Sequence, residues 1–94
     1  MEKLSSLPNI GKTLEEKLNQ VGIHSPEELH EAGAENALLR VRVIDESACI
    51  NMLLALEGAI QGIRWHGISN SRKEELKQFL RMNNIPLTPL AQKS

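Results

Sequence analysis

The chain has 94 residues and a formal net charge of −1, from 11 Lys and Arg against 12 Asp and Glu, with one Cys, one Trp, one Phe and no Tyr. That length suits one domain with one core; a lone cysteine forms no internal disulfide, and with no signal peptide and no bilayer-length apolar run the chain reads as soluble and cytoplasmic, with no membrane partner. The charge argues against a strongly electropositive nucleic-acid binder, and two aromatic side chains offer little for stacking bases.

Met1 to Leu7 has Leu4 and Leu7 three apart and suits a turn or two before Pro8 ends it. Leu7 to Thr13 is a tight connection into a helix on which Ile10, Leu14, Leu18 and Val21 recur at helical spacing, stopped by Gly22 as a left-handed cap. Ser25-Pro26-Glu27-Glu28 is a strong start signal: a Ser N-cap, Pro at the first helical position and Glu28 closing a capping box. The helix it opens turns Leu29 and Ala32 inward and ends at Gly33. Ala34 to Ile44 alternates like a strand at LRVRVI yet also suits a helix with Leu38 and Val41 inward; helix is the reading adopted, since a lone strand has no pairing partner.

Asp45 to Ser47 breaks the chain, with Asp45 or Ser47 as the next N-cap. Ser47 to Ile63 then reads as the central helix. Cys49, Met52, Leu53, Leu56, Ile60 and Ile63 form its core stripe, and only Asn51, Glu57 and Gln61 look toward water. A second face of Ala48, Ala55, Gly58, Ala59 and Gly62 has no large side chain, so another helix can approach closely there. Arg64 to Ile68 is a turn containing Gly67; Ser69 or Ser71 caps a last helix to about Met82, with Ser71 and Glu74 spaced as a capping box and an apolar stripe of Leu76, Phe79 and Leu80. Asn83-Asn84 ends it, and residues 85–94, with Pro86 and Pro89, read as an extended or disordered tail after a single domain at 1–84.

LPNIGKTLEEKLNQVGIHSPEEL resembles a helix-hairpin-helix element. Joined to ALLRVRV, CINMLLALEGAIQGIRW and EELKQFL, and above all through N-x-L-x-A-L-E-G-A-x-x-G-x-R-W at Asn51 to Trp65, the stretch from Leu7 to Leu80 is similar to the C-terminal domain of the TfoX/Sxy competence regulators, a bacterial family. The resemblance implies an all-α fold: a compact bundle of about five helices, of helix-hairpin-helix (SAM-like) type, around the central helix near 47–63. In full-length regulators this domain accompanies an N-terminal domain that these 94 residues do not include, so the resemblance implies a regulatory binding module and carries no competence role by itself.

In helix-hairpin-helix proteins, backbone N–H groups at the hairpin and the following helix N-terminus face a DNA phosphate. The corresponding positions are Asn9, Ile10, Gly11, Lys12 and Thr13, with Asn9-Ile10-Gly11 where DNA binders carry Gly-apolar-Gly. The alternative is that the hairpin only turns the chain and buries Ile10. On the last helix Lys73, Lys77 and Arg81 are spaced by four, with Arg72 close by, and form a basic stripe that suits phosphates or an acidic partner; a solvated face relieved by Glu74 and Gln78 explains it equally. These residues are the candidate contacts for weak, sequence-nonspecific binding of duplex DNA. The other class is a protein-interaction or adaptor module without nucleic acid, binding a regulatory protein or a second copy of the chain, with Ile85, Leu87 and Leu90 as apolar contacts and Trp65 as the anchor if it is exposed; a single Trp at a helix end more often belongs to the core.

Catalysis has little support. Cys49 falls on the core stripe; His24, His30 and His66 lack metal-ligand spacing; and Glu15-Glu16, Glu27-Glu28 and Glu74-Glu75 lie early in helices, where the dipole favours them. With no phosphate-binding loop or dinucleotide fingerprint, neither enzymatic activity nor any cofactor or metal is expected.

Overall fold

Three helices of this chain end in the same way, with a helix running into a residue of positive φ and then an isoleucine. In a computed structural model describing residues 3–85, Gly22, Gly62 and Asn84 adopt φ of 91°, 76° and 59°. Ile23, Ile63 and Ile85 donate their N–H groups back to the carbonyls of Leu18, Gly58 and Leu80, each at 2.9 Å. This is the Schellman closure, which satisfies the orphan carbonyls of a helix end and folds the next apolar residue onto its last turn. Ile23 and Ile85 are accordingly buried and Ile63 packs against the core.

The helices so ended are α1 (Lys12–Gln20), α3 (Ile50–Gln61) and α4 (Asn70–Met82); α2 (Pro26–Ile44) lies between the first two. Short 3₁₀ turns occupy Leu4–Ser6 and Trp65–Gly67, and no strand occurs among the described residues. The count is four helices where about five were expected. Gly33 leaves helical geometry (φ 83°, ψ 158°), so α2 consists of two helical segments that meet across a kink at the expected position. Ala34–Ile44 is helical, with Ala34, Ala37, Leu38 and Val41 buried. The Ser25 hydroxyl accepts from the Glu28 N–H at 3.2 Å while the Glu28 carboxylate accepts from the His24 N–H at 2.6 Å, a capping box reaching one residue further back.

α3 is the centre. It packs most extensively on α2, then on α4 and the Trp65–Gly67 turn, and Leu53 and Leu56 are fully buried. It begins at Ile50, later than expected, because Asp45 and Ser47 cap a local turn instead: the Asp45 carboxylate accepts from the Ser47 N–H at 3.0 Å and hydroxyl at 2.6 Å. The N-cap is Cys49, without a side-chain cap bond. On α4 the N-cap is Ser69, whose hydroxyl accepts from the Arg72 N–H at 3.1 Å, so Ser71 and Glu74 do not form the cap. Lys17 ties α1 to Asp45 by a salt bridge. No helix among the described residues is long and apolar enough to cross a membrane.

The close approach expected on the small-residue face of α3 occurs at Gly58 and is made by something other than a helix. A Cβ on Gly58 would lie 2.4 Å from Asn9 Nδ2, 2.7 Å from the Ile63 carbonyl oxygen and 3.3 Å from Trp65 Cα. At Gly62 a Cβ would meet nothing within 4 Å, so a substitution there costs only through its positive φ. Gly58→Ala should therefore lower stability by about 1–3 kcal/mol in urea denaturation. Combined with Asn9→Gly, which keeps the backbone freedom and removes the clashing amide, the double variant should lose less than the sum of the singles.

A second prediction concerns acid. The Lys17 hydrogen bond, followed by those from the Ser47 hydroxyl and N–H, holds the Asp45 carboxyl below its ordinary 3.8, at about 2. A carboxyl depressed on folding contributes stability that is fully present above the ordinary value and lost as pH falls through the folded one. The wild type should lose about 1 kcal/mol more than Asp45→Asn between pH 4 and pH 2, as read from denaturation midpoints.

Candidate functional site

Asn9 has positive φ (69°), which asparagine tolerates, and that backbone turns its amide into the protein. Nδ2 donates to the Ile63 carbonyl at 3.0 Å and the Ala55 carbonyl at 3.5 Å, while Oδ1 accepts from the Trp65 N–H at 3.2 Å. Ile10 is buried in the core. Gly11, Lys12 and Thr13 are exposed at the start of α1, and a Cβ at Gly11 would meet nothing within 4 Å. The five hairpin candidates thus divide: two are committed to the interior and three face solvent.

The basic stripe divides as well. Arg72 is a structural clasp between helices. Nη2 lies 3.0 Å from Glu57 Oε1 on α3 and 3.1 Å from Glu35 Oε2 on α2, and Nη1 lies 3.1 Å from Glu75 on its own helix. Glu57, expected to face water, is buried, and its second oxygen accepts from Gln61 at 2.6 Å. Burial pushes the Glu57 carboxyl up, but hydrogen bonds from Arg72 and Gln61 and the Arg72 charge outweigh it and hold it below the usual carboxylate range. The Glu57 hydrogen bond, acting against burial, raises the Arg72 guanidinium in turn. Lys77 pairs with Glu74 at 3.5 Å, and Arg81 donates to Gln78 at 3.3 Å. These contacts match the solvated-face alternative for that part of α4.

Lys73 behaves differently. Its ammonium stands 5.9 Å from the centroid of the Trp65 ring, within cation–π range. His66 stacks on the same indole with centroids 4.1 Å apart and planes at 26°. Trp65 is 43% exposed, which places it at the surface and not in the core. Beside it lies a cleft of about 450 Å³ lined by Asn9, Asn51, Leu54, Ala55, Arg64 and Trp65. Arg64, Asn51, Leu54 and Ala55 are not among the candidate site residues of the sequence; the Arg64-Trp65 pair two residues after the helix-ending Gly62 is the available signal.

Of the apolar contacts expected in a tail, Ile85 is instead buried, drawn in by the closure of α4, while Leu87 and Leu90 lie outside the described residues. A further apolar surface, unremarked in the sequence, is the outer side of α2, where Leu39, Val43 and Ile44 are exposed. Cys49 is buried, and among the described residues no group of three or more His, Cys, Asp or Glu is placed to hold a metal ion.

The fold and this surface define a small all-α domain entered through a hairpin, with one aromatic and basic patch on the turn after its central helix. The chain belongs to the TfoX C-terminal domain family, whose model matches residues 1–80. It is 36% identical over 78 residues to Protein Sxy of Escherichia coli (strain K12), covering 83% of this chain and 37% of that protein, so the chain spans little more than a third of that relative. Two solved structures from Listeria monocytogenes share the fold. An uncharacterized protein in a triclinic form superposes with TM-score 0.86 at 49% identity, covering 88% of this chain and 94% of that one. A protein of unknown function in a tetragonal form gives 0.82 at 51%, covering 85% and 98%.

The clasp yields a prediction. Arg72→Met, which leaves Glu57 buried without its cation, should cost about 2–3 kcal/mol in urea denaturation, below the range for a fully buried pair because Arg72 is 29% exposed. Lys77→Ala, whose partner Glu74 is 67% exposed, should change stability by less than about 0.5 kcal/mol.

Proposed function

We propose that this domain is a non-enzymatic regulatory binding module that works by protein–protein contact through the face carrying Trp65. The half-exposed indole supports this reading most directly: it is a large amphipathic side chain set beside a cleft and held by Lys73 and His66. Tryptophan in such a setting is typical of interface hot spots. The fate of the basic stripe supports it too, since Arg72 and Lys77 already have carboxylate partners. Membership of a family named for the C-terminal domain of a larger protein fits a module acting within or beside other chains; a part in competence would then run through such a contact.

Duplex binding is the second reading, favoured by the open Gly11 and the exposed Lys12 and Thr13 at the α1 N-terminus. Quantitative pull-down from a native-host lysate separates the two. Trp65→Ala should reduce recovery of specific partners by about tenfold or more, and Lys12→Glu should leave it unchanged. Salt-sensitive duplex binding in a low-salt fluorescence titration, abolished by Lys12→Glu and indifferent to Trp65→Ala, would move the assignment to DNA. A truncation testing the tail should end after Ile85, because ending at Asn84 also removes a core residue.

A further inference from the structure

Resting on the Trp65 reading, we infer that the cleft beside Trp65 receives a short acidic segment of a partner protein, with one large apolar side chain seated on Leu54 and Ala55 and its carboxylates drawn to Arg64 and Lys73.

The lining sets the shape of the occupant. The cleft holds about 450 Å³, room for a few side chains and small for a folded surface element. Its apolar part is Leu54, Ala55 and the indole, and exposed Asn51 adds an amide able to meet a peptide backbone. Asn9 adds no free amide, since both ends of its side chain are bound within the fold.

Charge sets the chemistry. Among the described residues no Asp or Glu lines the cleft. Among the described residues Arg64 and Lys73 have no carboxylate partner, as is also true of Lys3, Lys12, Arg40, Arg42 and Arg81, while Lys17, Arg72 and Lys77 do. Glu57 and Glu75 are both held by Arg72. One cation, Arg64, therefore lines a cleft that is half apolar, and a second, Lys73, stands over its indole, on a chain whose net charge is −1. An arginine in this setting can take a carboxylate through two parallel N–H bonds. A duplex brings charge but no apolar group to fill the Leu54 and Ala55 floor, and a single strand would want further stacking platforms, whereas Phe79 packs against the core. An acidic segment with an apolar residue satisfies both halves of the cleft.

The test is titration of the isotopically labelled full chain at low salt, followed by NMR and by the fluorescence of the single Trp. Three short peptides serve as probes: Leu-Phe flanked by Asp and Glu, Leu-Phe flanked by Lys, and the acidic peptide with Ala-Ala at its centre; duplex DNA is the fourth. The acidic Leu-Phe peptide alone should shift the Trp65 indole and the Leu54, Ala55 and Arg64 amides saturably, and Arg64→Glu should weaken it by about tenfold or more while resonances elsewhere stay in place. Equal shifts from the Lys-flanked peptide overturn the acidic class and leave the protein-contact reading standing. Stronger shifts of these residues by DNA, or the same shifts on concentrating the protein alone, overturn it in favour of a nucleic acid or a second copy. A cleft silent to every probe overturns it as well; if Trp65→Ala still loses its host partner the broader reading survives, and if recovery is unimpaired both fall.

Discussion

The Asn9 side chain is the constraint on which the candidate site depends. One amide joins the hairpin to two stretches far later in the chain: α3 at Ala55, and the turn from Ile63 to Trp65 that follows it. Each hydrogen bond contributes about 1 kcal/mol net, but the geometric effect is larger than that sum. The amide must lie against α3 where Gly58 leaves room, and the chain after Gly62 must double back so that the Ile63 carbonyl and Trp65 N–H reach it. Glycine at 58, positive φ at 9 and positive φ at 62 are therefore one requirement expressed at three positions. The same bonds turn the Asn9 side chain inward and leave Gly11, Lys12 and Thr13 exposed at the start of α1.

Arg72 does for α4 what Asn9 does for the hairpin. Its guanidinium collects carboxylates from α2, α3 and α4, and a planar fork with several donors can serve three acceptors where an ammonium would serve fewer. The clasp fixes α4 against α3, and with it the position of Lys73 over Trp65 one residue further on. Residues that looked alike as a basic stripe thus have separate duties: Arg72 holds helices, Lys77 and Arg81 are relieved by Glu74 and Gln78, and Lys73 supports the indole.

Local signals in the sequence were read well. The Ser25-Pro26 start, the Gly22 stop, the Asn83-Asn84 end and the inward Leu38 and Val41 all depend on neighbours within a turn or two, where spacing and backbone preference decide the outcome. What sequence left obscure is what depends on distant partners. Glu57 looks like a solvent-facing residue by periodicity and is buried only because Arg72, 15 positions later, meets it. The break at Gly33 was legible too, because a glycine between two apolar-periodic segments marks a point where the backbone can leave helical geometry. The start of α3 was misplaced because Asp45 and Ser47 satisfied each other locally instead of capping a helix three residues on. Trp65 could be core or surface from sequence alone; the backbone bond to Asn9 decides it by fixing a turn on which the ring lies outside.

That fixation bears on how the surface would bind. Much of the cost of association is the ordering of side chains and loops at the interface. Here the anchor lies on a turn whose backbone is tied to Asn9, and its ring is contacted by His66 and Lys73, so little of that cost remains to be met on binding. The near-neutral chain gives weak long-range steering, and at physiological salt the charges of Arg64 and Lys73 reach only about 8 Å into solvent. If this patch binds a partner as proposed, it would rely on contact complementarity, with charge selecting among segments that have already arrived. A site of that kind would favour short residence unless several contacts act together, which suits a domain that spans little more than a third of a longer relative.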